Sequence, residues 1–398
     1  MFQNTEIAFK IKSDKELKKA YWLFYLVSNK WIVRYGSFLL DFALAIRFPI
    51  KWIVKPTVFN HFCGGETLNE CTLAVGNLEK HNVKAILDYS VEGKESPQDF
   101  QNALNETLKS IHFAANNQNI PFAVFKPSAF TYSNILEQIG KIKGDILETE
   151  QLVEKLDLFY QKEANLFFER INILCKTAWG KNVSILIDAE DFAYQNAIDK
   201  IAEIMMLKYN KSSAIVYNTL QMYRWDRLDY LKQLYQKSIE KNIFVGVKFV
   251  RGAYMEKERK KAINENYPSP IQSNKTNTDN DFNKALKFTI EHLDKFSLFC
   301  GTHNEESTIL LTQLMNQQNI VKNDKRIYFA QLYGMSDHIS FNLAKAGYNV
   351  AKYVPYGEVK QVMPYLVRRA EENTSVAGQT GRELNLIIKE LKRRHSSK

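Results

Sequence analysis

Eight short runs rich in Val, Ile, Phe and Tyr alternate with helical patterns along most of this 398-residue chain. The runs lack the polar alternation of a half-exposed strand, which is typical of strands buried on both faces of a parallel sheet. Eight strand–helix units predict an α/β fold, a (β/α)8 barrel of the TIM type. The predicted strands are Val83–Tyr89, Pro121–Lys126, Val183–Asp188, Ala214–Asn218, Phe244–Val250, Leu298–His303, Arg326–Leu332 and Asn349–Val354.

The regions flanking the barrel have a different character. We divide the chain into an N-terminal helical arm at 1–75, a barrel catalytic domain at 76–378 and a basic C-terminal helix at 379–398. The arm mixes Trp, Phe and Tyr with Lys and Arg, so it either packs on the barrel or contacts a membrane surface. Two longer segments interrupt the strand–helix rhythm, a helical insertion at 131–179 and a polar loop at 256–280. Long loops after barrel strands lie at the active-site end, so both are predicted lids.

Charge and cysteine content limit the possible partners. The net charge is +10 and the sequence pI is about 9.1, which suits an anionic partner or simply favours solubility. No nucleic-acid recognition motif accompanies this charge, and the four cysteines do not have the spacing of a metal site. The most apolar stretch, 31–54, contains four charged residues and is too polar to span a membrane. We therefore expect a cytoplasmic protein, with at most peripheral contact with the inner face of the cytoplasmic membrane.

Polar side chains stand at nearly every predicted strand end. Catalytic groups of barrel enzymes lie at the carboxyl ends of the strands. Buried there without partners, such groups would be unstable. Either they bind a polar ligand or they pair with one another. The residues are Asp88, Lys126, Asp188, Glu190, Asn218, Gln221, Lys248, Arg251, Tyr254, Thr302, His303, Asn304, Gln331 and Tyr353.

The helix after the eighth strand carries a distinctive face. Tyr365, Arg368, Arg369 and Glu372 are spaced at i, i+3, i+4 and i+7 and therefore share one side of the helix. Two adjacent guanidinium groups offer planar forks of donors that suit a carboxylate. An exposed charged face with a local Arg368–Glu372 ion pair is the alternative.

Several of these segments together resemble one family, the proline dehydrogenases. The resemblance covers roughly Phe62 to Ser375. It rests on FCGGE at 62–66, IDAEDF at 187–192, YNTLQMY at 217–223, KFVRGAY at 248–254, THNE at 302–305, AQLYGMSD at 330–337, YVPYG at 353–357 and YLVRRAEEN at 365–373. It implies a distorted barrel whose eighth helix sits over the strand ends. It also implies oxidation of L-proline to 1-pyrroline-5-carboxylate, with a hydride passing to N5 of FAD and electrons passing on to a membrane quinone.

The same resemblance assigns roles to individual residues. Arg368 and Arg369 would bind the substrate carboxylate, with Glu372 orienting them. Tyr353 and Tyr365 would pack around the proline ring. The remaining substrate and catalytic positions are Tyr254, which closes the pocket, Phe249, where the family often has leucine, and Lys126 and Asp188, which lie beneath the substrate.

The resemblance also implies a set of flavin contacts. Arg251 would face the phosphates, Lys248 would lie near the flavin, and either Asn218 or Gln221 would bond to the isoalloxazine edge. The remaining expected flavin-binding residues are Gly252, Ala253, Thr302, His303 and Asn304.

Two other functions are compatible with parts of the sequence. A barrel lyase or aldolase would use Lys126 to form a Schiff base with its substrate. A nucleic-acid binder would use the positive charge alone. The first predicts a colourless protein that borohydride traps on its substrate, and the second predicts steeply salt-dependent binding.

Overall fold

A computed structural model describes residues 1–29, 31, 35, 51–90, 95–144, 148–375 and 379–396, with the backbone alone described at 370–375, 379 and 380. Eight parallel strands follow one another in chain order around a closed barrel, which confirms the predicted fold class. The fourth strand continues three residues beyond its predicted end and the eighth two residues. The strands are β1 Lys84–Tyr89, β2 Phe122–Phe125, β3 Ser184–Ile187, β4 Val216–Gln221, β5 Val245–Val250, β6 Phe296–Gly301, β7 Ile327–Leu332 and β8 Val350–Tyr356.

Helices precede, separate and follow the strands. A π-helical turn, Lys55–Phe59, and a 3-10 turn, Pro127–Phe130, supplement the α-helices. The α-helices among the described residues are Thr5–Phe9, Asp14–Val27, Lys51–Val54, Asn60–Phe62, Leu68–Glu79, Pro97–Ala115, Ser133–Lys141, Thr149–Glu154, Leu158–Gly180, Phe192–Tyr209, Arg227–Glu240, Met255–Asn264, Lys275–Glu291, Glu305–Gln317, Asp337–Lys345, Met363–Ser375 and Gln379–Ser396.

Several of these helices end at an asparagine with the same backbone conformation. Asn82, Asn182, Asn242 and Asn319 all have φ between 45° and 57°, the left-handed conformation that asparagine tolerates well. The Val or Ile that follows each one donates its amide back to the last helical turn at 2.8–3.1 Å. This pattern turns the chain sharply from helix towards the next strand.

The two predicted lids differ in outcome. The insertion at 131–179 is helical as expected, since it contains Ser133–Lys141, Thr149–Glu154 and most of Leu158–Gly180. The prediction of a polar loop at 256–280 is wrong, because Met255–Asn264 is a helix and a second helix begins at Lys275. Glu, Lys and Arg are strong helix formers, and Asn274 caps the second helix by accepting the amide of Asn277 at 2.8 Å.

The chain divides into two compact units, a larger unit at 93–330 and a terminal unit formed by 1–92 with 331–398. In the larger unit, the Phe122 ring meets Tyr217, Phe299 and Tyr328 edge to face, with centroids 5.4, 5.2 and 4.9 Å away. These rings come from four strands and fill the interior. Because side chains alternate along a strand, Lys248 shares the side of Gly246, whose Cβ position meets the Tyr217 ring, and Phe249 takes the opposite side.

In the terminal unit, the two ends of the chain pack together. Leu17, Ala20 and Phe24 of the helix Asp14–Val27 form a buried cluster with Leu386 and Ile387 of the C-terminal helix. The arm is therefore partly explained by contact with the tail helix. The expected arm residues 30, 32–34 and 36–50 lie outside the described part of the chain. Among the described residues, no helix is long and apolar enough to cross a bilayer.

The FCGGE segment in this unit packs closely against β8. Gly64 donates its amide to the Pro355 carbonyl at 2.9 Å. A Cβ atom at Gly64 would lie 2.5 Å from Cγ1 of Val354, so a larger residue does not fit without rearrangement. This motif is thus explained by packing.

Candidate active site

Lys248 and Asp188 form a buried ion pair at the ends of two strands of the larger unit. The Lys248 Nζ lies 2.7 Å from Oδ1 of Asp188, and both side chains are buried. Asp188 directly follows β3 and Lys248 is the fourth residue of β5. The structure therefore brings together two predicted site residues that are 60 positions apart in the chain, and their opposite charges offset each other.

Arg251 is held in place by three partners. Its Nε donates to Oδ1 of Asp279 at 2.8 Å, its Nη1 to Oγ1 of Thr302 at 2.7 Å, and its Nη2 to Oγ of Ser307 at 3.0 Å. The guanidinium also lies 4.5 Å from the centroid of the Phe282 ring. A cation fixed on several sides is suited to bind phosphate oxygens in a defined direction.

The segment Thr302–Asn304 supplies the start of the next helix. Asn304 caps Glu305–Gln317 by accepting the amide of Ser307 at 2.8 Å, and Thr302 Oγ1 accepts the amide of Asn304 at 3.2 Å. His303 lies between them and is half-buried. A helix N-terminus beside Arg251 adds partial positive charge to that of the guanidinium, which Asp279 partly offsets.

Asn218 and Gln221 lie on opposite sides of β4. Asn218 donates its amide to Asp199 at 2.9 Å and to Tyr230 at 3.3 Å, both on surrounding helices. Gln221, three residues later, donates to the Glu190 carbonyl at 3.1 Å. The Gln221 Oε1 is buried and has no hydrogen-bond partner among the residues that the structure describes. The Asn218 Oδ1 is likewise buried without a partner among the described residues, so only the side of the strand separates the two. Asn218 faces the surrounding helices, whereas Gln221 lies on the interior side, which favours Gln221 as the flavin contact.

Phe249 does not fit the substrate contact expected for it. It is fully buried on the helix side of β5, where its ring lies 6.3 Å from the Phe282 ring on Lys275–Glu291. Lys248 occupies the interior side, because successive side chains of a strand alternate. We therefore correct the assignment of Phe249 to core packing.

Gly252, Ala253 and Tyr254 connect β5 to the helix Met255–Asn264. Gly252 has a φ of 130° and Ala253 is exposed, whereas Tyr254 is half-buried at the start of the helix. The chain folds this way because glycine alone adopts such a φ without strain.

Lys126 stands at the start of the 3-10 turn Pro127–Phe130 and is half-buried. The turn is fixed by Glu190, whose carboxylate accepts the amide of Ser128 at 2.8 Å and also its hydroxyl. Glu190 in turn accepts the Gln221 amide on its carbonyl and donates its own amide to Gln195 at 3.0 Å. Glu190 thus ties together the residues after β2, β3 and β4.

The terminal unit contains the arginine pair. Arg369 is only 9% exposed, and its guanidinium carbon lies 5.2 Å from the centroid of the Tyr365 ring. Tyr365 and Tyr353 are buried, and Arg368 is half-buried. The helix begins at Met363 with Pro364 in its first turn, where a missing amide donor is tolerated. The Glu372 side chain lies outside the described residues.

A second set of buried charges in the terminal unit was not predicted. Asp337 lies between two lysines, 3.0 Å from Nζ of Lys12 and 2.9 Å from Nζ of Lys352. Lys352 also donates to the carbonyls of Leu332, at 3.3 Å, and Met335. Burial alone would raise the pKa of Asp337, but the two ammonium groups hold it well below its usual range. These contacts fix the arm and β8 to the loop that precedes Asp337–Lys345.

Comparison with known proteins agrees with these motifs and this fold. The family model described as "Proline dehydrogenase" matches residues 71–382. The chain belongs to the proline dehydrogenase family. Carbapenem antibiotics biosynthesis protein CarD of Pectobacterium carotovorum subsp. carotovorum is 34% identical over 333 residues, covering 84% of this chain and 83% of that protein. Mitochondrial proline dehydrogenase 2 of Arabidopsis thaliana is 32% identical over 399 residues, covering 91% and 84%.

The fold has counterparts among solved structures. Proline utilization A from Bdellovibrio bacteriovorus, inactivated by N-propargylglycine, is similar with a TM-score of 0.71 at 20% sequence identity. The match covers 93% of this chain but 38% of that one, so the chain spans well under half of its length. Family membership confirms the resemblance found in the sequence and the enzyme class, an oxidoreductase. Proline dehydrogenases are flavoenzymes, and the fixed Arg251 and the unpartnered Gln221 oxygen fit a flavin in the larger unit.

Sequence reasoning missed the residues that hold the site residues in place. Asp279 and Ser307 fix Arg251, and Glu190 fixes the turn after Lys126. Glu190 was visible as a strand-end carboxylate, but no role followed from it. Its contact with Ser128 joins positions 62 residues apart, and nothing in the local sequence indicates such a pairing.

Proposed function

We propose that the protein oxidises L-proline to 1-pyrroline-5-carboxylate, with FAD as its cofactor and a membrane quinone as its electron acceptor. The observation that carries this proposal is the position of the Arg369 side chain. It is nearly buried, packs on the Tyr365 ring and shares a face of its helix with Arg368. The Tyr365 ring stabilises the buried cation. By the family resemblance, the donor forks of Arg368 and Arg369 would bind the substrate carboxylate, and Tyr365 and Tyr353 would supply the apolar surface for a proline ring.

The larger unit provides the groups for the flavin. Arg251, fixed by Asp279, Thr302 and Ser307, would bind the phosphates near the N-terminus of Glu305–Gln317. When bound, FAD supplies the acceptor for the substrate hydride. Gln221 would accept a hydrogen bond from the isoalloxazine edge through the Oε1 that has no partner within the described residues. His303 and Asn304 would line the same cofactor.

By the family resemblance, Lys126 and Asp188 would lie beneath the substrate and Lys248 near the flavin. Lys126 and Lys248 would place positive charge near the substrate amine, and Asp188 offsets part of the charge of Lys248. An ammonium group near the substrate amine favours the neutral form of that amine. Neutral amine is the form from which hydride leaves, because its lone pair stabilises the positive charge that develops at the neighbouring carbon.

Peripheral membrane contact at the inner face of the cytoplasmic membrane is part of the proposal. The solvent face of Asp14–Val27 carries three lysines in its first half and Trp22, Tyr25 and Leu26 in its second. Trp22 is 60% exposed, and Trp52, in the same unit, is 85% exposed. Such a face suits the boundary between anionic headgroups and acyl chains. The lysines are Lys15, Lys18 and Lys19.

An absorption spectrum tests the reaction. We expect flavin bands in the purified protein that bleach when proline is added without oxygen and return when a quinone analogue is added. A colourless protein whose Lys126 is trapped by borohydride with substrate would instead support a lyase. Flavin bands that proline does not bleach would contradict proline oxidation.

Vesicle co-sedimentation tests the membrane contact. The protein should pellet with anionic vesicles at low salt and be released as salt rises, since each basic residue contributes about 1 kcal/mol near an anionic surface. Replacing Lys15, Lys18 and Lys19 by Glu should abolish pelleting, while Trp22→Ala should weaken it at every salt concentration. Equal pelleting of parent and triple variant would contradict the role of this face.

A further inference from the structure

The segment Arg251–Tyr254 passes directly over the ring of Tyr223. A Cβ atom at Gly252 would lie 2.5 Å from atoms of that ring, so the main chain touches it closely. Tyr223 also donates its amide to the Arg251 carbonyl at 2.9 Å. The first residue of the segment is therefore fixed to the main chain of Tyr223, and the second to its side chain.

The far end of the segment is fixed to the same tyrosine through Glu258. The Tyr223 hydroxyl donates to Oε1 of Glu258 at 3.0 Å, and Glu258 lies in the first turn of Met255–Asn264. The same carboxylate oxygen accepts the amide of Phe192 at 3.1 Å, at the start of the helix after β3. Tyr223 and Glu258 thus hold both ends of Arg251–Tyr254 against neighbouring strand ends.

Glu258 is an unusual choice for packing alone. It is 2% exposed in a helix whose other faces are mostly charged and exposed. Its Oε2 has no hydrogen-bond partner in the described part of the chain, and Asp191 nearby disfavours its charge while Arg224 favours it. An apolar side chain would fill this space with less desolvation. The carboxylate is better explained by the direction that its two hydrogen bonds impose on the helix.

We propose that Tyr223 and Glu258 are positioning residues that hold Arg251–Tyr254 in the conformation that binds the flavin. The proposal rests on the proposed function, in which Arg251 binds the cofactor phosphates. Arg251 touches the cofactor in that assignment, whereas Tyr223 and Glu258 act through the segment that carries it.

Release of FAD from the holoprotein tests the clamp. Tyr223→Phe keeps the ring under Gly252 and removes only the hydroxyl. Losing the hydrogen bond to the buried Glu258 carboxyl group should weaken FAD binding about tenfold, measured by recovery of flavin fluorescence on dilution. Glu258→Gln, which keeps a carbonyl oxygen for both donors, should lie between Tyr223→Phe and the parent. Tyr209→Phe is the matched control, because it removes a hydroxyl that donates to Asn172 at 2.6 Å at the far end of the helix that begins at Phe192.

Amide hydrogen exchange separates the clamp from the proposed function. In Tyr223→Phe, exchange should accelerate at 251–264 and remain unchanged elsewhere, whether or not flavin is bound. If the parent binds no FAD, the proposed function fails and the exchange pattern alone decides the clamp. Parent-like FAD release together with parent-like exchange in Tyr223→Phe would overturn the proposal, as would equal effects in Tyr209→Phe.

Discussion

Two nearly fully buried carboxylates, Asp337 in the terminal unit and Glu258 in the larger unit, differ in the partners that bind them. Asp337 in the terminal unit touches two ammonium groups, those of Lys12 and Lys352. Glu258 in the larger unit is bonded to a tyrosine hydroxyl and a main-chain amide, which are neutral donors. Burial disfavours both charges, but only Asp337 is paired directly with opposite charges that offset that loss. As a result the pKa of Asp337 is held well below its usual range, while burial raises the pKa of Glu258 to about 7.

The contrast shows how partner type decides the role of a buried acid. Asp337 stays ionised under all ordinary conditions and acts as a permanent link between the arm, β8 and the loop after β7. Glu258 changes charge near neutral pH, so its contribution depends on conditions. The amino-acid composition does not reveal this difference, because Asp337 and Glu258 are two acidic residues among many in a basic chain.

The largest effect is expected at Asp337. Asp337→Asn leaves the buried Lys352 and the half-buried Lys12 without this carboxylate, which should lower the free energy of unfolding by about 3–5 kcal/mol at neutral pH. Denaturant titration measures this. Because the pKa is lowered, the stabilisation is present above the ordinary pKa of about 4 and is lost as pH falls below it. The difference in unfolding free energy between variant and parent should therefore disappear in acid. A small difference at pH 7 would contradict the role of Asp337 as a link between the two lysines.

The fold was largely readable from the sequence, whereas the orientation of single side chains was not. All eight strands were identified because buried parallel strands are continuous apolar runs. That same continuity hides which side of the strand a residue takes. Asn218 and Gln221 therefore stayed alternatives, and Phe249, which lies on the helix side of β5, was assigned to the substrate site.

The buried partners were also beyond sequence reasoning. Asp337 and Lys12 are 325 positions apart in the numbering, and their contact depends on how the arm returns to the terminal unit. The cap signals were local and could have been found. Asparagine before Val or Ile at 82, 182, 242 and 319 marks the end of four helical stretches.

Glu258 should show the opposite pH dependence. Because its pKa is raised to about 7 in the folded protein, the folded state loses stability as pH rises from the ordinary value, about 4.3, to about 7. Glu258→Gln carries no charge and removes this loss. The free energy of unfolding of the variant, taken relative to that of the parent, should therefore rise by roughly 3 kcal/mol between pH 4.5 and 8. A constant difference across that range would contradict the assigned charge change.

Arg369 and Arg251 allow the comparison to be extended to cations. Arg369→Met removes a charge-assisted contact worth about 1.5–3 kcal/mol, so proline should bind roughly ten- to a hundredfold more weakly. Flavin content should be unchanged, as measured by absorbance. Arg251→Met should show the reverse, with loss of flavin preceding any effect on proline. If Arg369→Met binds proline as tightly as the parent, the carboxylate assignment is wrong.

The smallest expected effect concerns the choice between proline and 4-hydroxyproline. Tyr353 is buried, and its carbonyl accepts the Tyr333 amide at 2.8 Å, so the main chain stays fixed when the side chain is shortened. An apolar pocket rejects an added hydroxyl by about a hundredfold at most. We expect the parent to prefer proline by about that factor in kcat/KM. Tyr353→Ser should reduce this preference, because it makes room for the hydroxyl and offers it a hydrogen-bond partner.

Tyr356→Phe is the control and should keep the parent preference, because Tyr356 lies three residues along β8 and on the other side of the strand. Comparable kcat/KM for the two substrates in the parent would remove Tyr353 from the substrate site.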